Sequence, residues 1–171
     1  MLGLAGSAGT TLNCSLADRG FAFTSGESIA AGAAVQGLTI TGGLAYAGAG
    51  MVFSGASAAV SDVTITNCKA DGSGTPLAGV TAQAGGGVSI SNGNATFDRC
   101  TLRCAVAPGV WGMLPRPCCS NAPPCCCLAH SNNAAGTNGG GGLYVEGTSV
   151  SVFTNMLITG NVLFNPGRVR A

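Results

Sequence analysis

One pattern of residues recurs three times along this 171-residue chain, and it constrains the fold more than any single residue does. Gly50 to Asn67 reads GMVFSGASAAVSDVTITN, Gly87 to Cys104 reads GVSISNGNATFDRCTLRC, and Gly142 to Gly160 reads GLYVEGTSVSVFTNMLITG. Each copy holds a short apolar alternation, a turn of small residues and a second alternation. A weaker copy of the second half, VQGLTITG, runs from Val35 to Gly42. A unit this short cannot enclose its own apolar face and must bury it against its neighbours, so the repetition predicts an all-β solenoid of about four coils.

Aligning the copies gives the register. Leu38, Val63, Cys100 and Met156 fall in one column, and Ile40, Ile65, Leu102 and Ile158 in the column two residues on, which is the period of a strand with one buried face. These columns point inward. Thr39, Thr64 and Thr101 alternate with them as an outward hydroxyl column, broken by Leu157. A second strand gives the inward pairs Met51/Phe53, Val88/Ile90 and Leu143/Val145, and a third gives Ala58/Val60 and Ala95/Phe97. The last copy has one extra residue, so Val150, Val152 and Phe153 compete for the inward position and a bulge is expected. Three strands per copy describe a triangular coil.

Along the isoleucine column, the interval from Ile40 to Ile65 is 25 residues, the next (to Leu102) 37 and the last (to Ile158) 56. A coil of 25 residues fits the first, and the excess is expected to leave one corner as loops: Ala70–Ala84, and the much longer Ala105–Asn138. Both precede glycine runs, Gly85–Gly87 and Gly139–Gly142, whose backbone freedom suits re-entry into the stack. The expected organisation is an N-terminal segment with a partial first coil (1–34), β-helix coils (35–104), a Cys/Pro-rich insert expected to be disordered (105–138), a last coil (139–165) and a tail (166–171).

The motif GGG-apolar-x-apolar, then Phe or Val, then TITN or a variant, resembles the right-handed parallel β-helix proteins of the pectin-lyase-like class. It is particularly similar to the repeats of chlamydial polymorphic outer-membrane proteins and adhesin-like passengers. Gly85-Gly86-Gly87-Val88 and Gly140-Gly141-Gly142-Leu143 match that family's Gly-Gly-x-aliphatic motif, and F-x-x-N survives as Phe97 to Cys100 and Phe153 to Met156. Asn67 and Asn161 fall near the strand-ending turn where such helices stack asparagines; Cys104 replaces Asn in the middle copy. The resemblance covers roughly Val35 to Asn161 outside the insert. It implies a right-handed coil, an exported protein and either an adhesive role or a polysaccharide-cleaving one.

Composition narrows the function classes. Charged residues are 8% of the chain and the net charge is +1, which supplies no basic field for nucleic acid or anionic membrane. No apolar run approaches the ~18 residues of a membrane helix, so no transmembrane span is expected. The start, MLGLAGSAGT, is short and lacks the basic flank of a signal peptide, although a single Lys and a Ser/Thr/Asn-rich surface fit a secreted or cell-surface protein. A fragment of a larger protein, or an incomplete gene product, reconciles the two, and neither end carries a legible cap.

Cysteine is the most prominent chemical feature: five of nine lie at Cys118, Cys119, Cys125, Cys126 and Cys127, followed by His130. Tetrahedral metal sites use pairs spaced two to four residues apart, and adjacent cysteines converge poorly on one ion. Disulfides within a secreted loop and a non-native insertion, even retained noncoding sequence, are the other readings. Cys100 reads as a small buried apolar residue. Cys68 and Cys104 fall in adjacent coils, and a disulfide between them is an open reading to which no spacing in the sequence points.

Only six carboxylates exist: Asp18, Glu27, Asp62, Asp71, Asp98 and Glu146. Asp62 and Arg99 share an outward turn position with Asp98 one residue earlier, so Asp62, Asp98, Arg99 and Arg103 are expected to form a patch, read first as a solvated ion pair. The hydrolase and lyase motifs of the resembled class are absent. Gly48-Ala49-Gly50 lacks the Lys-Ser/Thr and the helix of a phosphate loop. Asn94-Ala95-Thr96 and Asn13-Cys14-Ser15 match the glycosylation triplet, which matters if the chain is exported. No catalytic, cofactor-binding or metal-binding residue is assigned.

The sequence reading is therefore a non-catalytic β-helix segment of a larger extracellular or cell-surface protein, a scaffold or adhesin-like surface. Its expected partners are cell-surface or wall glycan, or neighbouring coils of a longer protein, and not nucleic acid. The competing reading is a fragment of a polysaccharide lyase or glycoside hydrolase.

Overall fold

A computed structural model describes residues 6–72, 76–80, 85–103, 134–135 and 141–163. They form an all-β fold with a single four-residue helix, α1 (Gly6–Gly9). In chain order come β1 (Thr11–Asn13), β2 (Phe21–Phe23), β3 (Ala34–Thr41), β4 (Leu44–Ala45), β5 (Met51–Ser54), β6 (Ala59–Thr66) and β7 (Lys69–Ala70). There follow β8 (Val88–Ser91), β9 (Thr96–Asp98), β10 (Thr101–Arg103), β11 (Ala134–Ala135), β12 (Leu143–Glu146), β13 (Val152–Thr154), β14 (Leu157–Thr159) and β15 (Val162–Leu163).

All pairing is parallel, in three sheets. Sheet A runs β1-β3-β6-β10-β14 with β9 and β13 alongside, sheet B is β2-β5-β8-β12, and sheet C is β4-β7-β11-β15. From β2 onward the chain visits B, A and C in rotation, and each strand pairs with its counterparts one circuit before and after.

The aligned columns are the paired residues. Leu38 pairs with Val63, Ile40 with Ile65, Leu102 with both Ile65 and Ile158, Met51 with Val88 and Phe53 with Ile90. Leu38, Ile40, Met51, Phe53, Val60, Val63, Ile65, Val88, Ile90, Phe97, Cys100 and Leu102 are buried in one core. Aromatic rings continue through it: Phe23 stacks on Phe53 at 4.7 Å between centroids, and Phe97 on Phe153 at 5.5 Å. Met156 packs against this core, but Ile158, Val145 and Phe153 stay 46%, 40% and 37% exposed, because among the described residues their strands are paired on one side only.

Several expectations need correction. The third side of the circuit is sheet C, made of two-residue strands. Of the residues expected to supply it, Val60 belongs instead to sheet A, in β6, which runs unbroken into the isoleucine column, and Ala58 lies just before that strand. The division within that strand is a backbone reversal: Gly37, Asp62, Arg99 and Asn155 align in successive circuits and all have φ between 50° and 69°. The left-handed conformation costs glycine and asparagine little but disfavours Arg99, by about 1 kcal/mol or more. The bulge expected in the last copy is a turn instead. Ser91 still pairs with Glu146 and Asn92 N donates to Glu146 O, so Gly147 aligns with Asn92, both at positive φ, and the extra residue falls between Gly147 and Val152, which pairs with Thr96. Phe153 takes the inward place opposite Phe97, leaving Val150 and Val152 exposed.

The first loop does not project from a corner. Lys69–Ala70 is already β7, and residues 76–80 lie across the outer face of sheet B, where Val80 packs on Val52 and Ala47. Ser54 Oγ donates to Ala78 O at 2.5 Å and Ser91 Oγ to Gly79 O at 2.6 Å. This strap buries the outward positions Val52 and Ser89 completely. Of the expected insert, Ala134–Ala135 is described, and it pairs in sheet C with Lys69 and with β15. The expected stack of Asn67 and Asn161 also fails. Asn67 aligns with Gly42 and Gly160, all at positive φ, and Asn161 stands one residue later, donating from Nδ2 to Leu102 O at 3.0 Å.

Glycine is required where sheet C turns into sheet B, for space. Gly20, Gly50, Gly87 and Gly142 precede the four strands of sheet B in register. A Cβ on Gly20 would lie 2.6 Å from Ile40 Cγ2 and 2.7 Å from Gly50 O, and one on Gly50 would collide with Ile65 Cγ2 and lie 2.5 Å from Gly87 O. Gly50→Ala is expected to destabilise the fold by about 1–3 kcal/mol through this overpacking, read by chemical denaturation. Ile65→Asp, which buries a charge in the core, should cost about 4 kcal/mol or more. Thr64→Asp, on the other face of the same strand, should stay within about 1 kcal/mol of the wild type; equal losses for these two variants would refute the assigned facing.

Candidate functional site: a threonine-floored cleft on sheet A

While the strap covers the outer face of sheet B, the outer face of sheet A holds a cleft of about 430 Å³. Its floor is Thr11, Thr39, Thr64 and Thr101, which pair in unbroken register across β1, β3, β6 and β10, with Leu157 next in the same row. Neighbouring parallel strands bring these threonines to a spacing of ~4.8 Å. Their β-branched side chains suit the strand, and each stands outward because the residue after it fills the isoleucine column. Ser7 and Ala8 of α1 form one wall, and Arg103 lines the other end.

Three hydrogen bonds hold α1 in place. Thr39 Oγ1 donates to Ser7 O at 2.5 Å, and Asp62 accepts from Ser7 Oγ at 3.0 Å and from Ser7 N at 3.4 Å. The sequence showed the Thr39/Thr64/Thr101 column but missed Thr11, because a three-residue strand with one apolar residue carries no periodic signal. It also missed the wall, since the four residues GSAG carry no charged residue at either end and are too short for an amphipathic pattern.

The expected Asp62/Asp98/Arg99/Arg103 patch forms only in part. Asp62 and Arg99 do occupy equivalent positions in adjacent strands, but Asp62 turns to Ser7 while Arg99 pairs with its own neighbour Asp98. Asp98 also accepts from Asn155 Nδ2 at 3.0 Å and Thr154 Oγ1 at 3.2 Å. The Asn155 hydrogen bond is the main cause holding the Asp98 carboxyl below its usual value, with Arg99 and Thr154 adding to it. Arg103 lies apart from the pair, at the cleft.

Cys100 is buried as expected, its thiol pushed up chiefly by desolvation. Cys68 is fully enclosed, donates to Thr66 O at 3.4 Å, and burial pushes its thiol up to about 12. Cys100 and the half-buried Cys14 are free thiols. Cys104, the cluster Cys118, Cys119, Cys125, Cys126 and Cys127, and His130 lie outside the described residues. Among the described residues no three His, Cys, Asp or Glu side chains converge as metal ligands, and no helix is long and apolar enough to cross a membrane.

Comparison with protein-family models, with curated proteins and with solved structures finds no match for this chain. The geometry therefore carries the functional argument alone. The cleft presents hydroxyls in a row and one guanidinium, a surface for exchanging hydrogen bonds with a hydroxyl-rich ligand.

Two measurements follow from these groups. A carboxyl whose folded pKa is depressed contributes stability above its unfolded value, roughly 3.9, and loses it as the pH falls through the folded value. Wild type should therefore lose stability as the pH falls below about 4 more steeply than Asp98→Asn, as read by thermal melts at descending pH. In peptide-mapped thiol labelling at about pH 8, Cys68 should react only under denaturing conditions; modification of Cys68 in the folded chain at the rate of a free thiol would contradict its burial.

Proposed function

We propose that the chain is a segment of a right-handed parallel β-helix of the pectin-lyase-like kind, working as a non-catalytic scaffold at the cell exterior whose sheet A face meets a surface or wall glycan. The architecture is supported by the rotation of the chain through three parallel sheets with in-register apolar columns. The single observation that carries the binding role is the row Thr11-Thr39-Thr64-Thr101 flooring a cleft with Arg103 at its end. A stack of parallel strands repeats the same hydroxyl once per circuit, which suits a ligand that is itself a repeating chain of hydroxyl-bearing units. A passive role is supported at Asp98, whose carboxyl is engaged by Asn155, Thr154 and Arg99 and held on the acidic side of its usual value, the opposite of what a general acid at neutral pH needs.

The test is binding of the full chain to an array of neutral and acidic cell-wall glycans. Thr64→Tyr, which fills the middle of the cleft, should weaken capture at least tenfold, and Arg103→Ala should weaken preferentially any acidic glycan retained. Undiminished capture by Thr64→Tyr would remove the cleft from the reading. The lyase or hydrolase alternative is checked by incubating the same glycans with and without Ca²⁺: turnover that disappears in Asp98→Ala would overturn the scaffold assignment.

A further inference from the structure

We infer that Asn94 is an acceptor for an N-linked oligosaccharide, an inference that rests on the proposed exterior location. The triplet Asn94-Ala95-Thr96 supplies the required hydroxyl two residues on, and the fold puts these residues to compatible use. Asn94 is exposed in the turn from β8 to β9, whereas Ala95 faces the core and Thr96 starts a strand. Its backbone N–H donates to Ala56 O at 3.3 Å, and its side-chain Oδ1 accepts from Val150 N of the next circuit at 2.8 Å. The turn thus needs the amide oxygen of Asn94, while Nδ2 makes no hydrogen bond among the described residues.

Glycosylation consumes the nitrogen and spares the oxygen. Nδ2 loses one proton and forms a bond to the anomeric carbon of an oligosaccharide carried on a polyprenyl diphosphate. The anomeric C–O bond to phosphate breaks, its electron pair leaves with the lipid diphosphate, and the proton passes to a base of the transferase. The product keeps one N–H and an intact Oδ1, so the bond to Val150 N survives.

Other asparagines of the turns are used differently. Asn155 and Asn161 donate from Nδ2 to Asp98 and to Leu102 O, so a sugar there would displace a structural bond. Asn92 is an internal control: it is exposed in the same turn and also engaged through Oδ1, but Asn94 stands where a hydroxyl residue would be needed. The second matching triplet, Asn13-Cys14-Ser15, ends β1 two residues from Thr11, where a glycan would crowd the cleft; Asn94 is not among the residues lining it.

The experiment directs the full chain through a eukaryotic secretory pathway and maps the peptide carrying Asn94 by mass, before and after an amidase that converts glycosylated Asn to Asp. Occupancy at Asn94 is expected in wild type and Thr96→Ser, with Asn92 unmodified, and a loss of at least tenfold in Thr96→Ala. That variant leaves the Asn94–Val150 bond in place, so its loss of occupancy is not a loss of the turn. An unmodified Asn94 in secreted, folded wild type overturns the inference. Antibody staining of unpermeabilised source cells tests the exterior location separately, so failure of that reading is distinguishable from failure of the acceptor site.

Discussion

The contact on which the rest of this structure depends is between a glycine and an isoleucine. Where the chain leaves sheet C to enter sheet B, Gly20, Gly50 and Gly142 face the Cγ2 methyls of Ile40, Ile65 and Ile158, which reach across from sheet A. No side chain larger than hydrogen fits, because the same corner also brings backbone against backbone in the next circuit: Gly20 N donates to Ala49 O, and Gly50 N to Gly87 O. The apolar columns supply the driving force for stacking, roughly 2–3 kcal/mol for each fully buried Ile or Leu. The glycine column sets how closely the walls approach and hence whether those side chains meet.

A second ladder sets the shape of sheet A. At Gly37, Asp62, Arg99 and Asn155 the backbone turns left-handed once per circuit, which divides the sheet A crossing into two segments. The residue types differ because the neighbours differ. Asp62 is held by Ser7 of the helix above it, Asn155 donates to Asp98, and Arg99 tolerates a conformation unfavourable to it beside the Asp98 carboxylate. A fold requirement at one backbone position thus gathered the charged residues that the sequence presents as a patch. Their clustering is a consequence of the turn.

What the sequence made legible follows from the physics of alternation. Strands of four residues or more show a period of two, so Met51/Phe53 and Val63/Ile65 aligned without a slip, and Cys100/Leu102, at the three-residue β10, was carried by its match to them. Sheet C was invisible because Leu44–Ala45 and Lys69–Ala70 are too short to alternate. The first circuit escaped for the same reason, with Thr11–Asn13 and Phe21–Phe23 set in irregular chain. The strap was not legible because it is held by Val80 and by backbone carbonyls, which no sequence pattern marks. In the cleft, three of the four floor threonines were read correctly; the wall, and the partition of Asp62 from Asp98, depend on side-chain directions that register does not determine.

The two outer faces then diverge for a reason internal to the fold. Val52, between Met51 and Phe53, is an outward apolar residue that water would meet, and the excess of residues between the second and third circuits supplies Val80 and Leu77 to cover it. Across β1, β3, β6 and β10 the outward row is of threonines, which satisfy both the strand preference for β-branching and contact with water, and the short α1 covers part of it through Thr39 and Asp62. The rest of that row meets water, and it is this water that the hydroxyls of the proposed ligand would replace. Asn94, in the turn between the two faces, would carry a glycan away from that exchange and outside the cleft.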